Sequence, residues 1–263
     1  MYFTKPSLRT KLSFEIGMKK LGGNVSIIKQ DEIILGERES IKDSARVISQ
    51  YADAIVIRTF AHSDVETFDK HSSIPVINAL TDLSHPCQVM ADFLTIKEQF
   101  NTLSGLKIAY VGDWNNVANS LMVGCAILGI NFAIVSPSAY QQKTQNKIFE
   151  IAKKLAEKST ATLEVHENPY MAVKEANVIY TDTWVSMGQE NDSKRKEDFQ
   201  NYQINANLMT YADKNAIVLH CLPAYKGEEI TEDIFEQYAS VIFNEAANRM
   251  YAQMAILASI MRH

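Results

Sequence analysis

The sequence lacks the features that mark secreted, metal-binding and membrane proteins. Its 263 residues contain only three cysteines, which are far apart and odd in number: Cys87, Cys125 and Cys221. This set predicts neither a disulfide framework nor a zinc site, and a reducing, cytoplasmic setting is the simplest interpretation. No apolar run is long enough to cross a bilayer, and the first residues carry no signal-peptide pattern.

Short catalytic signatures are also absent. There is no H-E-x-x-H and no cluster of Cys and His, so we expect no catalytic metal, and there is no G-x-S-x-G nucleophile motif. The loop after Val111 follows a predicted strand, but Trp114, Asn115 and Val117 occupy the region where a G-x-G-x-x-G dinucleotide motif needs glycines. A dinucleotide cofactor is therefore disfavoured.

The charge balance is slightly acidic. The 31 Asp and Glu residues outnumber the 26 Lys and Arg residues, which gives a formal net charge of -5. This balance argues against a nucleic acid or an anionic membrane as partner. Any anion site must therefore be a local pocket.

The chain contains predicted strands that alternate with predicted helices, and 46% of its residues are hydrophobic, which is enough for a substantial core. This order predicts an α/β fold of two lobes, each a parallel sheet flanked by helices, with the C-terminal helix returning to the first lobe. A polar turn at 101–105 marks the boundary, so we expect domains at 1–100 and 101–244 and a final helix at 245–263. Two local predictions are a last short strand at 241–243 and a capping box at 63–66 that opens a helix.

The stretch Ser7-Leu8-Arg9-Thr10 opens the first predicted helix. Ser7 is a good N-cap, and the first amides of a helix point outward at its positive dipole end. Two hydroxyls and a guanidinium among these amides suit a phosphate. Taken alone, however, the stretch favours a capped helix that carries one surface arginine.

Polar residues also follow the predicted strands, where ligands bind in open parallel sheets. They are Arg58, Asn116, Asp182 and Cys221, and His85 and Gln88 lie at the start of a helix just after a strand. Each has a simpler explanation, such as a surface ion pair for Arg58, a cap for His85 or Asp182, and an inert buried thiol for Cys221. Because they share a position at strand ends, a substrate site stands level with these simpler explanations.

Five motifs follow one another from Tyr2 to the end of the chain: Phe3-x-Lys5-x-Ser7-x-Arg9-Thr10 with Ser13-Phe14-Glu15, His85-Pro86-Cys87-Gln88, Asp182-Thr183-Trp184-Val185-Ser186-Met187-Gly188, His220-Cys221-Leu222-Pro223 and Asn244-Glu245-Ala246-Ala247-Asn248-Arg249. In this order they resemble the motifs of the aspartate/ornithine carbamoyltransferase family. The third motif is similar to the loop of the branch that uses ornithine rather than aspartate.

The resemblance implies a carbamoyl phosphate-binding domain at 1–100, an ornithine-binding domain at 101–244, and a final helix that packs on the first domain. It assigns carbamoyl phosphate to Ser7, Leu8, Arg9, Thr10, Arg58, His85, Gln88, Cys221, Leu222 and Arg249. It assigns L-ornithine to Asn116, Asp182, Ser186 and Met187. The implied catalytic residues are Arg58, His85, Asp182 and Cys221.

The implied reaction is direct transfer without a cofactor or a metal, in a homo-oligomer that is typically a trimer. The neutral side-chain amine attacks the carbamoyl carbon, a tetrahedral intermediate forms, and phosphate leaves. Positioning two substrates supplies roughly 7–11 kcal/mol of barrier reduction. Donors such as Arg58 and His85 would stabilise the oxyanion, while Asp182 and Cys221 would orient and deprotonate the amine.

The chain departs from the family pattern at several places. Leu8 stands where threonine is usual, Lys11 and Lys226 replace arginines, and Ile34 replaces a histidine or glutamine that reaches a neighbouring subunit's site. The family also usually carries helices before the first motif, which pack with the final helix. Without them we expect an exposed apolar patch on that helix.

These departures leave three further hypotheses open besides an active ornithine enzyme. One is a non-catalytic relative that binds carbamoyl phosphate, and another is a transcarbamylase for a different amine, such as putrescine or an acylated ornithine. A nucleotide-dependent oxidoreductase on a similar fold is disfavoured by the missing glycine motif.

Overall fold

The structure is a computed structural model that describes residues 1–29, 34–141, 143–185 and 193–261. It divides into two compact units, which are described separately. The first unit comprises Met1–Ala91 and Ala247–His263, and the second comprises Asp92–Ala246.

The first unit has a parallel sheet in the order β2-β1-β3-β4. Its strands are β1 (Tyr2–Phe3), β2 (Ile28–Lys29), β3 (Ile55–Arg58) and β4 (Val76–Leu80). Its helices are α1 (Leu8–Lys20), α2 (Ile41–Ile48), α3 (His62–His71), the start of α4 (Pro86–Phe100) and most of α11 (Ala239–Ile260).

Alternate residues of β3 face opposite sides of this sheet, and each side is covered by helices. Ile55 and Ile57 pack with residues of α2 and α3 such as Ala45 and Phe68. On the other side Val56 packs with residues of three helices, Phe14 of α1, Cys87 of α4 and Leu257 of α11. Burial on both faces explains why this strand is an almost continuous apolar run.

The second unit has a five-stranded parallel sheet in the order β7-β6-β5-β8-β9. Its strands are β5 (Lys107–Val111), β6 (Asn131–Val135), β7 (Leu163–His166), β8 (Val178–Thr181) and β9 (Ile217–His220). Its further helices are α5 (Asn116–Leu128), α6 (Lys143–Ser159), α7 (Pro169–Val173), α8 (Ser193–Phe199), α9 (Ala206–Met209) and α10 (Glu232–Gln237). The predicted α/β fold class with two parallel sheets flanked by helices is confirmed.

Two local predictions are wrong. Residues 241–243 are not a strand but lie in α11, where Ile242 is buried and Phe243 is 57% exposed. A short β-branched and aromatic run fits a strand or one turn of a helix, and its neighbours decide which forms. The capping box at 63–66 is also wrong, because α3 already begins at His62 after Ala61, which makes no side-chain cap.

Among the described residues, no helix is both apolar and long enough to cross a membrane. Within the first unit, Tyr251 and Ile260 of α11 are 54% and 37% exposed, so part of the final helix does present apolar surface.

Candidate active site

The start of α1 carries the first candidate residues. Ser7 has an extended backbone, and its Oγ accepts the N–H of Thr10 at 3.3 Å, which confirms the predicted N-cap. The side chain of Leu8 is 71% exposed, so the missing hydroxyl affects a solvent-facing position. Arg9 follows in the same first turn, whose outward N–H groups suit an anion.

Two buried arginines lie in the same unit. Arg58 ends β3 and is 5% exposed, and Arg249 of α11 is 3% exposed. A guanidinium nitrogen of Arg249, Nη2, donates a hydrogen bond to Thr10 Oγ1 at 2.6 Å, although the two residues are 239 positions apart. The fold therefore joins the first and last of the five motifs.

His85 lies just before α4, and Gln88 lies in the first turn of that helix. Both side chains are buried. Burial and the positive charges of Arg249 and Arg58 hold the pKa of His85 well below its usual 6.5. The imidazole is therefore neutral at physiological pH and adds a hydrogen-bonding group, not a third positive charge, beside the arginines.

In the second unit, the adjacent strands β5, β8 and β9 end side by side, and each is followed by candidate residues. Asn115 and Asn116 follow β5, Asp182 follows β8, and Cys221 follows β9. Gly112 makes the turn after β5 with a φ of 134°, and a Cβ there would meet Thr181 Oγ1 at 3.4 Å. This turn brings the two asparagines toward the end of β8.

The carboxylate of Asp182 is the centre of this group. Its Oδ1 accepts the backbone N–H of Thr183 at 2.8 Å and the thiol of Cys221 at 3.0 Å. Its Oδ2 accepts the side-chain amide of Asn115 at 2.7 Å. Burial and the negative charge of Asp182 raise the pKa of Cys221 well above its usual value, so this cysteine is a hydrogen-bond donor and not a thiolate.

Hydrogen bonds fix the loop after β9. The backbone N–H of Leu222 donates to His220 Nδ1 at 2.9 Å, so the ring hydrogen lies on Nε2, which donates to Glu229 Oε1 at 2.9 Å. The same glutamate oxygen accepts the N–H of Tyr225 at 2.7 Å. These bonds hold Leu222 in a left-handed conformation, with a φ of 58°, directly after Cys221.

A second buried glutamate supports the same loop. Glu245 Oε2 accepts the N–H of His220 at 2.9 Å, and Glu245 Oε1 accepts the hydroxyl of Tyr180 at 3.3 Å. Burial, together with the charge and hydrogen bond of Asp92, raises the pKa of Glu245 well above its usual 4.5. Burial beside Asp92 therefore favours the protonated form of Glu245.

Arg195 connects two of the loops. It is buried, forms an ion pair with Asp113 after β5, and donates from Nε to the carbonyl of Trp184 after β8. Its guanidinium also stacks 4.6 Å from the ring centroid of Tyr140. Burial raises the pKa of Asp113 to about 6, although Arg195 opposes this shift.

One group of potential metal ligands occurs in the described part of the chain. Donor atoms of Asp182, His220 and Cys221 lie within 4.8 Å of one another. Both ring nitrogens of His220 are engaged by Glu229 and Leu222, and the thiol donates to Asp182, so hydrogen bonds already use these groups. The expectation that the protein uses no metal stays a prediction.

Comparison with known proteins places this arrangement in a family. Residues 1–98 match the carbamoyl-P binding domain of aspartate/ornithine carbamoyltransferase, and residues 104–260 match its Asp/Orn binding domain. The chain belongs to the aspartate/ornithine carbamoyltransferase family.

Individual relatives of the family are similar over almost the whole chain. An ornithine carbamoyltransferase of Nostoc punctiforme is 49% identical over 262 residues, which are 99% of this chain and 85% of that protein. A solved ornithine carbamoyltransferase of Pyrococcus furiosus matches with a TM-score of 0.95 and 44% identity, over 99% of this chain and 83% of that one. The anabolic ornithine carbamoyltransferase of Campylobacter jejuni gives a TM-score of 0.93 at 41% identity, over 99% and 86%.

Among the residues of the predicted family site, hydrogen bonds join Thr10 to Arg249 and Asp182 to Cys221. Ser186 and Met187 lie outside the described residues. Asn116 is the first residue of α5, but the amide that reaches Asp182 belongs to its neighbour Asn115. Sequence reasoning missed the supporting residues, which are Asp92, Asn115, Arg195, Glu229 and Glu245.

The catalytic and binding roles themselves, and the domain limits at 100, 244 and 245, stay predictions. The division into compact units falls within α4, after Ala91, and within α11, after Ala246.

Proposed function

We propose that this protein transfers the carbamoyl group of carbamoyl phosphate to the side-chain amine of L-ornithine and releases L-citrulline and phosphate. One observation carries the proposal: the Asp182 carboxylate is fixed between the Cys221 thiol and the Asn115 amide, where it suits a cationic or neutral amine. The relatives named ornithine carbamoyltransferase, at 44–49% identity, support the same reaction.

In this proposal the first unit binds the phosphate. The hydroxyls of Ser7 and Thr10, the backbone of Leu8 and the guanidinium of Arg9 form the cradle at the start of α1. Arg249, which hydrogen-bonds Thr10, adds a buried positive charge to the same group. A helix start with arginine suits the leaving phosphate, whose charge grows as the bond to carbon breaks.

Arg58, His85 and Gln88 bind the carbamoyl group. The neutral imidazole of His85 donates a hydrogen bond to the carbonyl oxygen, and Arg58 supplies the charge that stabilises the oxyanion of the tetrahedral intermediate. Removing one such donor in an enzyme typically costs about 10²–10³ in kcat. Cys221 and Leu222 are the further carbamoyl contacts that family membership suggests.

Asn116, Asp182, Ser186 and Met187 bind ornithine. The neutral amine attacks the carbamoyl carbon and forms the C–N bond, and the C–O bond to phosphate then breaks with its electron pair going to phosphate. Asp182 accepts a hydrogen bond from the amine and orients it, and the proton that the nitrogen loses on forming the C–N bond goes to the departing phosphate. Cys221, as a thiol, orients this carboxylate and does not act as a nucleophile.

The proposal includes a homo-oligomer, a trimer in keeping with the family. Leu12 and Ile16 lie one turn apart on α1, and they are 44% and 42% exposed. A second copy of this chain would cover such an apolar stripe. Light scattering after gel filtration should give three chains, and Leu12→Glu should reduce the mass, whereas a monomeric wild type contradicts this part.

We further propose a cytoplasmic enzyme of arginine metabolism that needs no cofactor. The three cysteines, far apart and odd in number, support a reducing compartment.

The test is citrulline formation by the purified chain from carbamoyl phosphate and L-ornithine, with Arg58→Ala as background. Putrescine, N-acetylornithine and aspartate serve as competing acceptors, and ornithine should be preferred by at least roughly a hundredfold. Citrulline no higher than in Arg58→Ala excludes the proposal. Thermal stabilisation by carbamoyl phosphate without turnover would instead support a non-catalytic relative.

A further inference from the structure

The side-chain amide of Asn115 is fixed at both of its polar atoms. Its Oδ1 accepts the backbone N–H groups of Val117 and Ala118, at 2.9 and 3.2 Å, as the N-cap of α5. The hydroxyl of Tyr110, which is fully buried, lies 3.2 Å from the same oxygen. Since two backbone donors require an oxygen there, the orientation of the amide is determined, and its Nδ2 must face Asp182.

The hydrogen bond from Asn115 is the only one that the described residues donate to the Oδ2 atom of Asp182. Asn115 Nδ2 donates to Asp182 Oδ2 at 2.7 Å, while Thr183 and Cys221 donate to Oδ1. A carboxylate offers about four acceptor positions, so these three donors leave about one position, and it belongs to Oδ2. The amide of Asn115 thus sets the rotation of the carboxylate and the direction of its remaining acceptor position.

From this geometry we infer that Asn115 is a positioning residue, which aims Asp182 Oδ2 at the side-chain amine of the acceptor substrate. The inference rests on the proposed function for the identity of that substrate. The helix cap is what makes the arrangement rigid, because any rotation of the amide toward the substrate breaks two bonds to the start of α5.

A purely structural role as N-cap makes a different prediction, and the two can be separated by Asn115→Asp. Aspartate caps a helix as well as asparagine does. It would, however, replace the donor at 2.7 Å from Asp182 Oδ2 by a second carboxylate oxygen, and two carboxylates in contact do not both stay ionised. Asn115→Ser supplies a second variant, because serine also caps but is too short to donate to Asp182.

Asn205→Asp is the matched control. Asn205 is the N-cap of α9, where its Oδ1 accepts the N–H of Leu208 at 3.0 Å, and the described contacts give it no carboxylate partner. The same substitution at an ordinary cap should leave both Michaelis constants unchanged.

The experiment compares wild type and the three variants in steady-state kinetics over pH 5.5–9. Losing a hydrogen bond to a charged group predicts at least roughly a tenfold rise in the KM of ornithine for Asn115→Asp and Asn115→Ser. The KM of carbamoyl phosphate should stay within about twofold of the wild-type value. A variant with a disturbed fold would instead change both Michaelis constants. Only Asn115→Asp should move the acidic limb of the profile to higher pH. If Asn115→Asp and Asn115→Ser both have the same KM of ornithine and the same pH profile as Asn205→Asp, the inference is overturned.

Calorimetric titration of L-ornithine into protein saturated with carbamoyl phosphate or inorganic phosphate gives a readout that needs no turnover. If wild type makes no citrulline, the proposed reaction fails, yet a tenfold weaker affinity of Asn115→Ser than of Asn205→Asp still supports the positioning role. Equal affinities, or no binding of ornithine by wild type, overturn it. A soluble Asn115→Ser serves these tests even where Asn115→Asp does not fold.

Discussion

In the first unit, burial and nearby charges shift the pKa of a base, His85, whereas in the second unit they shift the pKa values of two acids, Glu245 and Cys221. Arg58 and Arg249 lower the pKa of His85, and burial acts in the same direction. In the second unit, burial and the neighbouring Asp92 raise the pKa of Glu245, as burial and Asp182 raise that of Cys221.

Burial favours the neutral form of the ionisable group in both units. Removal from water disfavours every charged form, so it lowers the pKa of a base and raises that of an acid. Nearby like charges strengthen both shifts. At these positions, burial and like charges therefore favour the neutral forms of His85, Glu245 and Cys221, which lie beside the charges of Arg58, Arg249, Asp92 and Asp182.

Removing the charge that defines the second unit should give the largest effect. We expect Asp182→Asn to reduce kcat/KM for ornithine by roughly 10²–10³-fold. The amide lacks the negative charge that attracts the amine, and its N–H donors face the donors of Cys221 or Asn115. Stabilisation by carbamoyl phosphate, measured as a shift of Tm, should persist. In the control Asp213→Asn, kcat/KM should stay unchanged, because the described residues give this carboxylate a single turn contact, the N–H of Asn215. An equal loss in both variants would contradict the assignment.

Replacing the neutral base of the first unit should change how stability depends on pH. The folded state binds a proton at His85 more weakly than the unfolded chain, so this group contributes stability above pH 6.5 that is lost as pH falls. As the pH is lowered below 6.5, the free energy of unfolding should decrease with a slope approaching 1.4 kcal/mol per pH unit. This slope corresponds to the uptake of about one proton on unfolding. His85→Gln should flatten this slope in urea titrations at pH 5–7.5. His166→Gln, near the exposed Glu164, should keep the wild-type slope.

The opposite sign is expected in the second unit. The folded state binds a proton at Glu245 more tightly than the unfolded chain, so the stability present below pH 4.5 is lost as pH rises above it. Glu245→Gln keeps an acceptor for the His220 N–H and a donor for Asp92, so it should flatten this loss between pH 5 and 7. Asp92 stays buried, so only part of the slope should disappear. If the exposed Glu157→Gln flattens it equally, the effect is not that of a buried proton.

The sequence was sufficient for the features that depend on neighbouring residues. The cap at Ser7, the start of α4 at Pro86 and the strand at 107–111 follow from local capping, proline geometry and apolar runs. The errors arose where a local signal is ambiguous. The run at 241–243 has β-branched and aromatic residues, but its place within α11 is decided by packing of Ile242 in the core.

The supporting contacts of the site depend on strand order, which a single sequence does not contain. Asn115 meets Asp182 because β5 lies beside β8, and the two residues are 67 positions apart. Asp92 and Glu245 are further apart still, and no periodicity relates them. The motif residues could therefore be identified singly, whereas the residues that fix their orientation required the fold.

The smallest effect is expected at the position where the phosphate cradle of the first unit departs from the family. We expect Leu8→Thr to change the KM of carbamoyl phosphate by less than about threefold, because a neutral hydrogen bond in a solvent-exposed place contributes only about 0.5–1 kcal/mol. The Leu8 side chain is 71% exposed, and its backbone is unchanged by the substitution. Val47→Thr, at an exposed position of α2 in the same unit, is the control. A gain of tenfold or more in kcat/KM would mean that the cradle needs the hydroxyl, and that charge and helix amides alone do not define the first unit.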